Sequence, residues 1–555
     1  MKRLENIREL LEYCANQYNN KILYTIDQKI TYKQFKEKVD NLSNSLINQQ
    51  YEGKRIAIIS ENRYEWELTF FAICNGVGTV VPIDKSLPVQ EIKNIVEQTN
   101  VELIFTSDEY LEELEEIDIK QISFDGIEFS EMVANPILAN KNEIKVISKE
   151  DECVIISTSG TTNKSKAVIL TQNNIISNML NVSEIMEITK EDIALSVMPL
   201  NHVLEGLFCM LLTIYKGATR IHCSNIDDIV DYIKKYKITY MGAVPAIYEY
   251  LYEKIDEWKE NIPQINIFMS GGAPLKNEII RKYKEKGINL IQGYGMTEAA
   301  PVISMETIEN NKLCSVGKAI PNVQVKIINS NEDGIGEILV KGENITKGYL
   351  NNETETKNAI IDGWLHTGDL GKIDKEGFIY ITGRINNMIV LSNGKKVFPE
   401  EIEALINNIE GVKESVVYGT KKINAKISYN NNKISEQQLQ EKINKINEQL
   451  PIYKRIQSIE YTTEDLDKTY LGKIKRNIEK NDEKDKFSLL KEIIIEQLDI
   501  DESSIKLDSD LRNDLGADSL DKLAIFLKVE NQFNIKIEKE QRKLVKTVQD
   551  LFKII

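Results

Sequence analysis

From Lys54 onward the chain alternates two hydrophobic patterns. Short apolar runs, such as Arg55-Ile-Ala-Ile-Ile-Ser60 and Val101-Glu-Leu-Ile-Phe-Thr106, are separated by longer stretches with apolar residues at helical spacing, such as Tyr64 to Cys74 and Val89 to Thr99. The alternation predicts an α/β fold of parallel sheets covered by helices, continuing to about Ile381. A compact polar break at Gly383-Arg-Ile-Asn-Asn-Met-Ile-Val390 then predicts a smaller α+β region ending near Arg476. Asn477 to Lys486 is nearly all charged or polar without apolar period, the pattern of a linker. Beyond it, Leu489, Leu490, Ile493, Ile494 and Leu498 share one helix face, and Leu520, Leu523, Ala524, Leu527 and Phe533 follow at helical spacing. Thr547 with Asp550 opens a last helix through Ile555, which completes a small helical bundle. The predicted organisation is a large domain over 1–383, a small mobile domain over 384–478, a linker over 479–486 and a four-helix-type bundle over 487–555.

A chain of 555 residues is too long for one core, and length alone suggests roughly three or four domains. Hydrophobic residues at 42% and charged residues at 28% have the balance of a globular protein. A net charge of −16 argues against nucleic-acid binding. The six cysteines form no Cys-x-x-Cys pair and predict reduced, mostly buried thiols in a cytoplasmic protein. Met1 to Leu10 lacks a signal-peptide core, and no stretch reaches the roughly 18 apolar residues of a membrane span. With His202, His222 and His366 the only histidines, the expected cation is an oxygen-ligated magnesium held largely by phosphates.

Two stretches carry chemistry. Cys153-Val-Ile-Ile156 reads as a buried strand and runs into Ser157-Thr-Ser-Gly-Thr-Thr-Asn-Lys-Ser-Lys166, where backbone N–H groups, hydroxyls and ammonium charge can wrap phosphates. It is not a Walker A loop, and by itself it reads equally as a polar surface loop. In Asp514-Leu-Gly-Ala-Asp-Ser-Leu-Asp521, Gly516 and two aspartates mark a turn that leaves Ser519 at a helix start. A nucleophile elbow would need Gly-x-Ser-x-Gly and a histidine, and neither is present in this part of the chain. The octapeptide alone leaves an ordinary N-cap serine and an exposed functional serine both open.

The whole segment from Phe487 to Ile555 closely resembles an acyl carrier protein. That resemblance implies that Ser519 carries covalent phosphopantetheine, a long arm ending in a thiol, installed by a phosphopantetheinyl transferase. Upstream, Thr158-Ser-Gly-Thr-Thr-Asn-Lys-Ser-Lys166 resembles the phosphate loop of adenylate-forming enzymes, the superfamily of acyl-CoA synthetases, luciferases and nonribosomal adenylation domains. It implies ATP phosphates held by Thr158, Ser159, Gly160, Thr161, Thr162 and Lys166. The loop departs from the family pattern at Asn163 and Ala167, where glycines are usual, and at Ser165, where proline is usual. Ser270-Gly-Gly-Ala-Pro-Leu275 and Gln292-Gly-Tyr-Gly-Met-Thr-Glu298 resemble the nucleotide pocket. The resemblance places the backbone of Gly272, Ala273 and Pro274, with Gly293, Tyr294 and Gly295, beside adenine. Thr297 is implied on the α-phosphate and Glu298 toward Mg2+ through water. Asp369, in Gly363-Trp-Leu-His-Thr-Gly-Asp-Leu-Gly371, is implied to accept both ribose hydroxyls, with Arg384 as a further ribose contact. Lys473, in Leu471-Gly-Lys-Ile-Lys-Arg476, resembles the lysine that holds the substrate carboxylate and α-phosphate, with Asp467 where proline is common. Asn386 stands at the family's hinge, where aspartate or lysine is usual.

His202, in Pro199-Leu-Asn-His-Val-Leu-Glu-Gly206, resembles the histidine at the acyl tunnel mouth, and a lone histidine of this kind also reads as a core residue. No aspartate stands where amino-acid-activating members hold an α-ammonium. Ser60-Glu-Asn-Arg-Tyr-Glu-Trp66, Tyr240-Met-Gly-Ala-Val-Pro-Ala-Ile-Tyr248 and Ile389 to Ile402 look most like long-chain fatty acid ligases. The expected substrate is therefore a small carboxylic acid, fatty or otherwise apolar, with an aryl acid also open. The expected reaction is ATP-dependent formation of acyl-AMP, then transfer to the thiol on its own carrier domain and onward to a downstream acyl-accepting enzyme. The alternatives are a free-CoA ligase with a regulatory carrier, and a non-catalytic acyl-carrier scaffold. Between Asp499 and Asp521 eight acids face only Lys506 and Arg512, a docking face for basic partners.

Overall fold

The structure is a computed structural model that describes residues 3–24, 29–135, 146–158, 166–263, 267–391, 395–419 and 422–466, and, toward the C-terminus, 487, 489–491, 493–495, 497–498, 500, 505–517, 519–533 and 535–555. Two large sheets build the N-terminal part. In the seven-stranded sheet, Arg55–Ile59, Val101–Thr106 and Thr79–Pro82 run parallel at the centre. Their side chains are buried on both faces, which is why they read as continuous apolar runs. The helices Tyr64–Cys74 and Val89–Thr99 fall where their spacing predicts. Glu152–Thr158 joins this sheet parallel to Thr79–Pro82, then pairs antiparallel with Lys166–Thr171, which pairs in turn with Gly348–Tyr349. The nine-stranded sheet is parallel through Thr219–His222, Ile193–Ser196, Tyr240–Ala243, Ile267–Ser270 and Leu290–Gly295.

The rhythm of parallel strands stops earlier than Ile381. A third, five-stranded sheet built from Gln324–Ile328, Gly336–Lys341, Ile360–Ile361, Trp364–Ile373 and Ile379–Arg384 is antiparallel throughout. Connections too short for a crossover helix, such as the five residues between Ile373 and Ile379, permit hairpins alone.

A separate apolar cluster around Val397, Ile402, Ala425, Ile427 and Leu439 forms the core of the following region, with Val412–Tyr418, Ile423–Tyr429 and Ile456–Thr462 in one sheet. The predicted linker lies outside the described residues. In the last segment Leu490, Ile493, Ile494, Ile525, Phe526 and Val529 share a core with Val548 and Leu551. Thr547 and Asp550 form the expected capping box, but the last helix ends at Phe552 rather than Ile555. Along the Ser519–Phe533 helix the buried positions include Ile525, Phe526 and Val529, whereas Leu527 is 48% exposed. No described helix is long and apolar enough to cross a membrane. Five cysteines are buried and Cys314 is exposed.

Candidate active site

The candidate residues are supplied by several sheets: Tyr294 near the C-terminal end of Leu290–Gly295, Asp369 in the middle of Trp364–Ile373, and Lys166 at the start of Lys166–Thr171. One segment anchors much of the site: the strand Leu290–Gly295 and the short turn Thr297–Ala299 that follows it. Tyr294 on the strand donates from its hydroxyl to Asp369 Oδ2 at 2.6 Å. The other carboxylate oxygen of Asp369 meets Arg384 Nε at 2.7 Å. Sheet register explains the second contact, because Asp369 and Arg384 are direct antiparallel partners. Asp369 is buried and Arg384 half exposed, so the carboxylate is fixed in place beneath a cationic rim. Burial, and then the neighbouring Asp369, push the Tyr294 hydroxyl well above its usual pKa, so it stays a donor.

Four residues on from Tyr294, Glu298 is buried and accepts the Tyr349 hydroxyl at 2.9 Å. Burial and then Glu298 likewise raise the pKa of Tyr349. The same tyrosine ring lies under the Lys166 ammonium, 5.1 Å from Nζ to centroid. Lys166 also donates to Glu355 Oε2 at 2.5 Å. Lys166 thus stands inside a chain, Glu355–Lys166–Tyr349–Glu298, that runs from a half-exposed carboxylate to a buried one. Neither Tyr349 nor Glu355 stands out in the sequence. Tyr349 sits in a two-residue strand, and Glu355 lies in a polar run, Asn351 to Lys357, that reads as a solvated helix. Strand register is the missing signal: Tyr349 pairs with Val168, two residues from Lys166.

Thr158 and Lys166 are paired across the hairpin that holds the predicted phosphate loop, and the Thr158 hydroxyl donates to the Lys166 carbonyl at 3.2 Å. Ser159, Gly160, Thr161 and Thr162 lie outside the described residues, as do Lys473 and Asp467. Gly272, Ala273 and Pro274 are exposed just past the Ile267–Ser270 strand, with Gly272 at φ +83°, a left-handed turn that favours glycine. Gly293 is half buried, Gly295 is exposed, and Thr297 is half buried at the turn. Asn386 is exposed in the short helical turn Ile385–Asn387. Ser519 begins the Ser519–Phe533 helix.

His202 is half buried, and its Nδ1 accepts the Leu204 backbone N–H at 3.3 Å. In the neutral ring the proton then sits on Nε2. Next to it the chain makes a π-helix, Leu204–Cys209, a form frequent at functional sites. The wall reached from here is apolar: Cβ positions built on Gly271 and Gly293 lie within 3.8 Å of Met269 Sδ, with Leu204 Cδ1 and Met305 Cε close by.

Beneath this wall sits a charged cluster with no counterpart in the sequence-based expectations. Arg220, fully buried, donates to Glu67 Oε1 at 2.6 Å, to Glu205 Oε1 at 2.8 Å and to Thr213 Oγ1 at 2.7 Å, and Tyr24 donates to Glu67. Burial raises the Glu205 carboxyl to about 7, although Arg220 opposes the shift. Burial would raise Glu67 too, but there Arg220 and His222 prevail and hold it below the usual carboxylate range.

No group of three or more metal-ligating side chains occurs among the described residues. One buried carboxylate, Glu298, held by a neutral tyrosine, fits a hard cation whose remaining ligands are phosphate and water oxygens. Comparison with known proteins finds matches along most of the chain. A family model described as AMP-binding enzyme matches residues 11–350, one described as AMP-binding enzyme C-terminal domain matches 386–490, and one described as phosphopantetheine attachment site matches 488–554. A putative acyl–CoA ligase of Bacillus subtilis (strain 168) is 28% identical over 82% of this chain and 94% of its own length. A 2-succinylbenzoate–CoA ligase of Bacillus cereus (strain Q1) is 30% identical over 71% of this chain and 81% of its own. Among solved structures, O-succinylbenzoate coenzyme A synthetase from Bacillus subtilis in complex with AMP superposes with a TM-score of 0.74 at 26% identity, covering 85% of this chain and 98% of that one.

Proposed function

The chain belongs to the AMP-binding enzyme family and ends in a phosphopantetheine attachment domain, and from that premise we propose that it activates an apolar monocarboxylic acid, a fatty acid, as acyl-AMP and loads it onto its own carrier domain. It is an acid–thiol ligase of the AMP-forming type that uses ATP and Mg2+. The carrier domain takes its prosthetic group from a phosphopantetheinyl transferase. The observation that carries the reading is that one segment, Leu290 to Ala299, anchors both a buried carboxylate clamped by Tyr294 and Arg384 and a second carboxylate linked through Tyr349 to Lys166.

In this reading Asp369 turns its two oxygens to the ribose hydroxyls, and Arg384, freed from the carboxylate, covers the sugar. Gly272 to Pro274 and Gly293 to Gly295 flank the base. Thr158, Ser159 to Thr162 and Lys166 take the β- and γ-phosphates and Thr297 the α-phosphate, and Glu298 would hold Mg2+, which would offset phosphate charge. The carboxylate oxygen of the acid attacks the α-phosphorus as the bond to pyrophosphate breaks; Lys166 and Lys473 are fixed cations where negative charge accumulates. His202 stands at the entrance to the apolar wall of Leu204, Met269 and Met305, whose character suits a hydrocarbon tail. Asn386 is the pivot about which the small domain turns. Ser519 would hold phosphopantetheine, whose thiol would accept the acyl group from acyl-AMP as AMP leaves. The protein works in the cytoplasm and hands its product to a downstream acyl-accepting enzyme.

The relative named for 2-succinylbenzoate keeps a second reading in view, a free-CoA ligase for an aryl acid with the carrier as a regulator. Intact-protein mass spectrometry of the phosphopantetheinylated chain with ATP and a mixed acid panel separates the two. The expected result is one acyl mass added to the carrier, lost in Ser519→Ala while carboxylate-dependent pyrophosphate exchange persists. Acyl-CoA formation with an unloaded carrier supports the second reading, and absence of exchange with every acid defeats both.

A further inference from the structure

We propose that Glu355 is a positioning residue that competes with the nucleotide's phosphates for Lys166, capping the lysine before ATP enters and recapturing it as pyrophosphate leaves. The inference rests on the reading of Lys166 as a phosphate-binding cation. It is carried by the geometry of a single short helix.

Glu353–Ala359 is set against the strand Gly348–Tyr349 by two features of the sequence. Asn352 caps the helix, accepting the Glu355 N–H at 3.1 Å, and Thr356 accepts the Tyr349 N–H at 2.9 Å while donating to the Asn352 carbonyl at 2.9 Å. The approach is so close that a Cβ on Gly348, at φ +134°, would lie 2.3 Å from Thr356 Cγ2. Since Gly348 and Tyr349 pair with Ile169 and Val168, this packing carries Glu355 to the end of the strand that begins with Lys166. There the ammonium is bracketed: Glu355 Oε2 at 2.5 Å on one side, the Tyr349 ring at 5.1 Å on the other.

The pair is not a random surface contact. Tyr349, which shares Lys166 with Glu355, spends its hydroxyl on Glu298. The lysine is thus aimed by the same residue that fixes the candidate magnesium carboxylate. Polyphosphate arriving at Lys166 brings negative charge next to Glu355, so the two anions cannot both hold the ammonium at short range without repulsion. With the Glu355 side chain 41% exposed, the carboxylate can turn to solvent at little cost when displaced. Its return as pyrophosphate departs would hasten product release.

The test uses the full-length protein and reads KM for ATP, kcat and inhibition by pyrophosphate in acid-dependent adenylate formation, for wild type, Glu355→Gln, Glu355→Asp and both of the first two in a Lys166→Gln background. Glu355→Gln should lower KM for ATP and the inhibition constant for pyrophosphate together, by about two- to fivefold, with kcat unchanged or reduced. Glu355→Asp, which keeps the charge, should stay near wild type. In the Lys166→Gln background the Glu355→Gln effect should vanish. Unchanged constants, a raised KM, or an effect that survives in the Lys166→Gln background would each overturn the proposal. Direct titration with the ATP–magnesium complex keeps this outcome separate from failure of the functional reading: if wild type binds ATP but forms no adenylate with any acid, the enzyme assignment fails while the competition is still read from the binding constants.

Discussion

Glu205 is a carboxyl placed where charge is expensive. It sits fully buried in the π-helix beside His202, sharing Arg220 with Glu67, so one guanidinium serves two carboxylates. Burial raises Glu205 from 4.5 to about 7, while Glu67 moves the other way. The sign for Glu205 follows from linkage: the folded state holds the proton more tightly than the unfolded one, so its contribution is full below pH 4.5 and is lost as pH rises through 7. Glu306, raised by burial to about 7, adds a contribution of the same sign in the same window. Glu205→Gln keeps an acceptor for Arg220 and removes the buried charge. The variant should therefore lose part of the wild-type decline in thermal midpoint between pH 5 and 8, and at pH 8 it should be the more stable by on the order of 2 kcal/mol. A thermal denaturation series over that pH range checks it; an unchanged slope would mean that Glu205 is already neutral or already compensated throughout. Tyr294 holds the carboxylate proposed to bind ribose. Tyr294→Phe removes one donor to Asp369 and leaves Arg384; ATP affinity, read by titration, should fall by about three- to tenfold, with the fold intact by circular dichroism.

At the level of elements, the central buried strands and the helices with a regular apolar spacing were the legible ones. Arg55–Ile59, Val101–Thr106, Tyr64–Cys74 and Val89–Thr99 appear where the apolar runs and helical spacing place them, because local pattern and burial agree there. The five-stranded antiparallel sheet was not legible. Strands such as Gln324–Ile328 have no fully buried residue, so they lack the continuous apolar run that marks the central strands. For the site, the aspartate, the glycine turns and Lys166 could be found from motif order, but Tyr349 and Glu355 arrive through pairing between strands some 180 residues apart, which no local pattern encodes. The Ser519–Phe533 helix shows the same limit within one element: apolar spacing places Leu527 in its stripe, yet the carrier core is built from its neighbours Ile525, Phe526 and Val529. This has a testable consequence. Phe526→Ala should destabilise the carrier by about 3 kcal/mol through a cavity, whereas Leu527→Ala should cost under about 1 kcal/mol. Hydrogen exchange of the 519–533 helix in the full-length chain measures both, and equal losses would place Leu527 in the core after all.

For the whole molecule, the decisive question is whether the chain loads itself. Covalent attachment makes the carrier an intramolecular acceptor with an effective concentration on the order of millimolar, provided the linker reaches. Two variants separate self-loading from loading between chains. Ser519→Ala retains the adenylation machinery without the attachment serine, and Lys473→Ala retains the serine while losing the proposed adenylation lysine. Each alone should stay unloaded. Mixed at about 1 μM, they can meet only by diffusion, so label should reach the Lys473→Ala chain roughly a thousandfold more slowly than wild type loads itself, and in proportion to concentration. The strongly acidic chains repel one another at low ionic strength, so added salt should quicken the reaction between chains while leaving self-loading little changed. Time-resolved intact-mass measurement reads both rates. Equal rates in the mixture and in wild type would show that the carrier is served by neighbouring molecules, and the fusion would then need a different rationale, such as holding the product near the enzyme that consumes it.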